Sequence, residues 1–210
     1  TGLSSSAAFS ICTGASFCFI HNRSFRPREL AQIARSAEND YFGKPCGLMD
    51  QMSSAVGGTL AIDFKEPDSP EIIDIRTDLN DFGCTMVIVN TGDSHEELTA
   101  DYAAVPQEIK KAIGTFNTDV ARGLSMDMVL NRLPQIRKAA GDRAALRLMH
   151  FINEDLRAAE QAHALKKGDY KCFLQLVQQS GDSSCALLQN CSSLKDTNNQ
   201  GILLALALTR

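Results

Sequence analysis

Tryptophan is absent from this 210-residue chain, and aromatic residues make up only 6% of it. Such a chain supplies a poor stacking platform for single-stranded nucleic acid. It also lacks an excess of positive charge. Twenty-one basic residues face 25 acidic ones, a formal net charge of −4, which argues against binding along a phosphate backbone. No apolar run approaches the roughly 20 residues of a membrane helix. A fibre, a membrane span and a basic nucleic-acid arm are thereby excluded, and neither nucleic acid nor membrane is expected as a partner.

The seven cysteines (12, 18, 46, 84, 172, 185 and 191) are odd in number and scattered. None forms a CxxC pair and no His stands at zinc-finger spacing from them, so neither a disulfide framework nor a structural zinc site is indicated. Several lie in apolar stretches, where a thiol behaves as a small hydrophobe. This usage favours a reducing, cytoplasmic setting. Familiar catalytic signatures are missing too. Gly43-Lys44 is followed by Pro45, so there is no Walker A motif; GxGxxG and GxSxG are absent; His95-Glu96-Glu97 lacks the second His of a zincin helix.

What remains is an ordinary globular composition, 44% hydrophobic and 22% charged, long enough for one full domain or two small ones. Thr1-Gly2 leads straight into a serine run with no initiator Met, and Leu208-Thr209-Arg210 closes an apolar helical pattern. Both ends read as interior sequence, and the chain is expected to be the central portion of a longer protein.

Residues 4–20 read as a buried helix, apolar almost all round. Pro27 opens a second helix, with Leu30, Ile33, Ala34 and Ala37 on one face. A short helix over 48–56 stops at Gly57-Gly58. Strands are expected over 59–64, 71–76 and 84–90, the last fully buried because Met86-Val87-Ile88-Val89 is continuously apolar. From about residue 95 the pattern is mostly helical. The clearest helix covers 143–167, with Leu146, Met149, Ile152, Leu156, Ala159 and Ala162 at helical spacing and Gly168 as its stop. A seam near residue 80 divides the chain into segments 1–80 and 81–210.

Three segments carry chemistry. Gly2-Leu3-Ser4-Ser5-Ser6-Ala7 sets a glycine and three hydroxyls at the start of an apolar helix, where unpaired N–H groups and the positive dipole end favour an anion. The same serines would also serve as a plain helix cap. In Glu38 to Gln51, Glu38 sits at a helix end whose dipole it opposes, so a cation would help it. Asp50 lies among Leu48, Met49, Met52 and Val56, where a carboxylate needs a partner or a task. Each acid is also readable as a capping or solvated group. The third segment, Asn90 to Tyr102, runs from an apolar strand through a polar loop into a helix, a common place for binding groups.

In this order, Gly2-Leu3-Ser4-Ser5-Ser6-Ala7, Glu38 and Pro45-Cys46-Gly47-Leu48-Met49-Asp50-Gln51 closely resemble the galactokinases of the GHMP kinase superfamily. Ser94 to Thr99 with Tyr102 and Val105-Pro106-Gln107-Glu108, and Arg147 to Leu165 with Gly168-Asp169-Tyr170, resemble later blocks of that family. The resemblance implies an α+β, GHMP kinase-like fold. A partial domain of the ribosomal protein S5 domain 2 type over 1–80 would be followed by a partial, helix-rich, ferredoxin-like domain over 81–210. It also implies an ATP- and Mg²⁺-dependent kinase acting on the anomeric hydroxyl of galactose or a related sugar.

By the same resemblance Gly2, Leu3, Ser4, Ser5, Ser6 and Ala7 would wrap the triphosphate of ATP, and Ser6 and Glu38 would hold Mg²⁺. Asp50 would be the catalytic acid beside the sugar C1 hydroxyl, with Gly47 and Tyr102 contacting the sugar. Such phosphoryl transfer asks a protein mainly to position reactants and neutralise charge. The family's Arg-x-Asn-Leu-x-Gly-Glu-His and Gly-Gly-Gly-Phe-Gly-Gly segments do not occur in these 210 residues, so the chain alone is expected to show little or no kinase activity. Two alternatives stay open: a non-enzymatic sugar sensor of galactokinase type, and a kinase for galacturonate, arabinose or N-acetylgalactosamine.

Overall fold

A computed structural model describes residues 3–43, 46–67, 69–91, 99–192 and 197–209. Contacts divide the chain into two compact units, Thr1–Asp78 and Leu79–Arg210.

In the first unit, helix α1 (Ser5–Ile20) packs on α2 (Pro27–Ser36) and α3 (Met49–Val56). The sequence reading of α1 as buried is corrected: Ala7 and Ile11 are inside, while Phe9, Phe17, Phe19 and Ile20 are exposed. Only one edge of a helix can face two neighbours, however apolar the rest of it is. The contact is close at Gly14, where an added Cβ would stand 2.5 Å from Leu30 Cδ1.

Helix α2 starts at Pro27, whose fixed φ suits a first helical position, and buries Leu30, Ala31 and Ala34. Ile33, expected on the same face, is exposed. The buried stripe is rotated so that it continues onto Glu38 in the π-helical turn Ala37–Tyr41. Helix α3 matches its expected bounds closely and is stopped at Gly57, which takes φ 75°.

Strands β1 (Leu60–Asp63) and β2 (Glu71–Asp74) form an antiparallel pair, with Leu60 opposite Asp74 and Asp63 opposite Glu71. Arg28 ties α2 to this hairpin, donating from Nη2 to the Pro70 carbonyl at 2.7 Å and from Nη1 to Ser69 Oγ at 3.1 Å. The core joins Ile11, Leu30, Ala31, Ala34, Leu48 and Met52, flanked by Ile62, Phe64 and Ile72.

The second unit is helical: α4 (Thr99–Ile113), α5 (Met126–Asn131), α6 (Leu133–Ala140), α7 (Asp142–Lys167), α8 (Tyr170–Ser183) and α9 (Gly201–Thr209). The strand expected over 84–90 does not form. The segment is irregular, with Val87 76% exposed and its apolar neighbours also exposed. A strand exists only against a partner, and no strand of this unit lies among the described residues.

Pro106 lies inside α4, and Pro134 occupies the first turn of α6. The core contains Ala112, Ile113, Val129, Ile136, Ala145, Leu148 and Ile152. The inner face of α7 therefore holds Ala144, Ala145, Leu148 and Ile152; of the helically spaced residues in the sequence reading, Ile152 is buried and Met149 packs against this core. Leu156 is exposed, and Arg147 and His150 are buried. Helix α7 is packed by α4, α6 and α8, so more than one of its faces is covered.

No described helix is long and apolar enough to cross a membrane. Among the described residues the architecture is mostly helical with one two-stranded sheet, compatible with the expected α+β class.

Candidate active site

Helix α1 begins without a side-chain cap from the residue before it. Ser4, the residue before it, takes the left-handed conformation (φ 52°, ψ 33°) and its side chain makes no capping hydrogen bond. Its carbonyl accepts the first helical bond, from the Ala8 N–H at 3.0 Å. The next N–H groups have no acceptor within a helix, and the Ser4 side chain does not cap them. Ala7 is buried and anchors the turn, while Leu3, Ser5 and Ser6 are exposed and Ser4 is half-buried. Gly2 lies outside the described residues, as do Lys44, Pro45 and residues 92–98 of the third sequence segment.

Glu38 is only 6% exposed. The π-helical turn that carries it inserts an extra residue after α2, and such turns frequently mark functional positions. Ser6 Oγ donates to Glu38 Oε2 at 3.2 Å across 32 residues of sequence. Gln51 Nε2 donates to Glu38 Oε1 at 3.1 Å. The fold thus brings Ser6 and Glu38 together, with the first turn of α3 beside them.

A hydroxyl and a buried carboxylate are hard oxygen donors. They fit Mg²⁺, which takes one or two carboxylates and completes its shell with water and phosphate. Among the described residues no group of three or more His, Cys, Asp and Glu could hold a metal, so a cage of the zinc type is not formed there.

The loop between Glu38 and α3 is closed by Asn39. Its Oδ1 accepts from the Cys46 N–H at 2.7 Å, and its Nδ2 donates to the Cys46 carbonyl at 3.2 Å. Gly47 follows, exposed, and an added Cβ there would meet nothing within 4 Å, so the packing of the chain itself does not demand glycine.

Asp50 is the second residue of α3, in the first turn, where a carboxylate suits the helix dipole. Its apolar neighbours had suggested an enclosed acid. The helix instead turns Leu48 and Met52 inward and Asp50 outward, and Asp50 makes no hydrogen bond or ion pair among the described residues. Gln51 and Asn39, which build the site, received no role from the sequence. A Gln directly after an Asp in an apolar short helix was the available signal.

Tyr102 belongs to the second unit, on α4, 65% exposed. That unit holds its own buried polar network. Arg147, 3% exposed, donates from Nε to the Leu188 carbonyl at 3.0 Å and forms an ion pair with Glu108 at 3.1 Å. Arg143 donates to Glu108 as well, at 3.0 Å from Nε to Oε2. The Arg143 hydrogen bond holds the Glu108 carboxyl below its usual range, against the upward push of burial. His150 Nδ1 lies 2.9 Å from Ser183 Oγ; burial, aided by Arg157, pushes its imidazole down. These contacts join α4 and α8 to α7.

Residues 1–58 match the family model described as "GHMP kinases N terminal domain". The chain is similar to curated galactokinases. It is 31% identical to that of Actinobacillus pleuropneumoniae over 186 residues, 87% of this chain and 47% of the relative. It is 31% identical to that of Glaesserella parasuis serovar 5 over 188 residues, and 28% identical to that of Haemophilus influenzae (strain PittGG) over 186, with the same shares covered. The chain spans about half the length of the curated relatives it matches.

Proposed function

We propose, from its kinship with the GHMP kinases, that this chain carries the nucleotide and catalytic portion of a sugar kinase of galactokinase type. The reaction transfers the γ-phosphoryl group of ATP to the anomeric hydroxyl of galactose or a close relative. Gly2 to Ala7 bind the phosphates through the first turn of α1. Ser6 and Glu38 hold Mg²⁺, whose chemistry here is to neutralise phosphate charge. Asp50, facing outward from the first turn of α3, accepts the proton of the C1 hydroxyl or orients it. Gly47 leaves room beside Asp50 for the sugar.

The observation that carries this reading is the Ser6–Glu38 contact. A serine at an uncapped helix start and a buried carboxylate 32 residues later have little reason to meet for packing alone. The two units would correspond to a domain of the ribosomal protein S5 domain 2 type and a ferredoxin-like, helix-rich domain. The seven free cysteines support a cytoplasmic setting.

A coupled assay with galactose and ATP tests the reading on a protein of the relatives' full length that contains these residues. Asp50→Asn should abolish turnover there and leave ATP binding intact. A sugar sensor would keep its partner binding through that substitution and show no turnover before it. Turnover equal to the parent in Asp50→Asn would sink the assignment of Asp50.

A further inference from the structure

Gln51 is 1% exposed, on the inner face of a helix beside Met52, with Leu48 buried just before the helix start. A carboxamide is a poor occupant of such a position unless its polar atoms are used. Only its donor half is. Nε2 gives hydrogen bonds to Glu38 Oε1 at 3.1 Å and to Cys46 Sγ at 3.4 Å. Oε1 is buried and has no hydrogen-bond partner among the described residues. The opposite amide orientation would set that oxygen against the carboxylate, so the contact with Glu38 itself assigns the NH₂ group to it.

The two carboxylate oxygens are thereby divided: Oε1 is held by Gln51 and Oε2 stands beside Ser6 Oγ. We propose that Gln51 is the positioning residue of the metal pair. Its carboxamide fixes the rotation of the Glu38 carboxylate so that Oε2 faces Ser6, and its contact with Cys46 ties the segment leading to Asp50 to the same carboxylate. Groups that hold a ligand from behind in this way tune metal affinity without touching the ion. The proposal rests on the reading of Ser6 and Glu38 as the Mg²⁺ pair of a kinase.

The test uses the full 210-residue chain, with Mn²⁺ as probe in the presence of ADP and free Mn²⁺ read by electron paramagnetic resonance. Gln51→Met keeps the length of the side chain and removes the donor. Its Mn²⁺ affinity should fall about 10–100-fold, while ADP binding in EDTA and the circular dichroism spectrum stay those of the parent. Gln51→Leu should behave alike. An unchanged Mn²⁺ affinity in Gln51→Met, beside a loss in Glu38→Gln, overturns the proposal and leaves the kinase reading standing. Equal losses of Mn²⁺ and of metal-free ADP binding, or loss of cooperative melting in both variants, make Gln51 a packing residue and overturn it too. Mn²⁺ binding that survives Glu38→Gln, or is absent from the parent, removes the metal pair itself.

Discussion

Asn39 makes both of its hydrogen bonds to the backbone of Cys46, closing the loop that leads to Asp50. Each such bond contributes about 0.5–1.5 kcal/mol net. Asn39→Ala should therefore lower the stability of the first unit by about 1–3 kcal/mol, read by urea unfolding, and weaken sugar phosphorylation more than nucleotide binding. At His150 the expected effect is one of pH. Burial depresses its pKa below the ordinary 6.5, so the unfolded chain binds the extra proton more readily. The stability from a neutral His150 is complete above about pH 6.5 and is lost as pH falls through the folded value. Glu108 is also depressed, and its contribution disappears only at more acid pH, below the carboxylate range. Melting of the second unit should fall in two stages on acidification, and His150→Gln should remove the first. A single transition unchanged by that substitution would contradict the assignment.

The elements are placed by a few close approaches. Helix α1 meets α2 at Gly14, where Leu30 leaves no room for a side chain. Gly14→Ala gains about 1 kcal/mol of helix propensity against an overpacking cost of about 1–3 kcal/mol, a net destabilisation of about 0–2 kcal/mol. Gly14→Val has more volume and less propensity, and should cost about 1–3 kcal/mol with a matching shift in urea midpoint. In the second unit Leu148 fills the centre of α7. Leu148→Ala should cost about 2–5 kcal/mol through transfer and cavity terms.

Helix boundaries were readable here. Pro27, Gly57 and Gly168 act through local backbone geometry that needs no partner. Which face turns inward was less readable. Ile33 and Leu156 are as apolar as their buried neighbours, and only the packed partners decide between them.

At the scale of the molecule, the first unit contains an uncapped helix start, a buried carboxylate and an outward-facing Asp50. Mg²⁺ with ADP should stabilise the chain by about 2.7 kcal/mol at a hundredfold excess over Kd, seen as a rise in melting temperature that Glu38→Gln abolishes. Turnover by the 210 residues alone should be slight. Asp50 makes no hydrogen bond or ion pair among the described residues, and phosphoryl transfer depends on holding both reactants within reach. A rate comparable to an intact sugar kinase in the coupled assay would refute that expectation.

Residue types and their order determined the helix starts and stops, the serine turn, the two acids and the kinship they signal, because capping, φ preference and motif spacing are local properties of a chain. Tertiary structure decided that Ser6 reaches Glu38, that Gln51 stands behind that carboxylate, that Asp50 faces out and that residues 84–90 form no strand. Those outcomes depend on which surfaces meet across tens of residues, and hydrophobicity alone does not encode that choice.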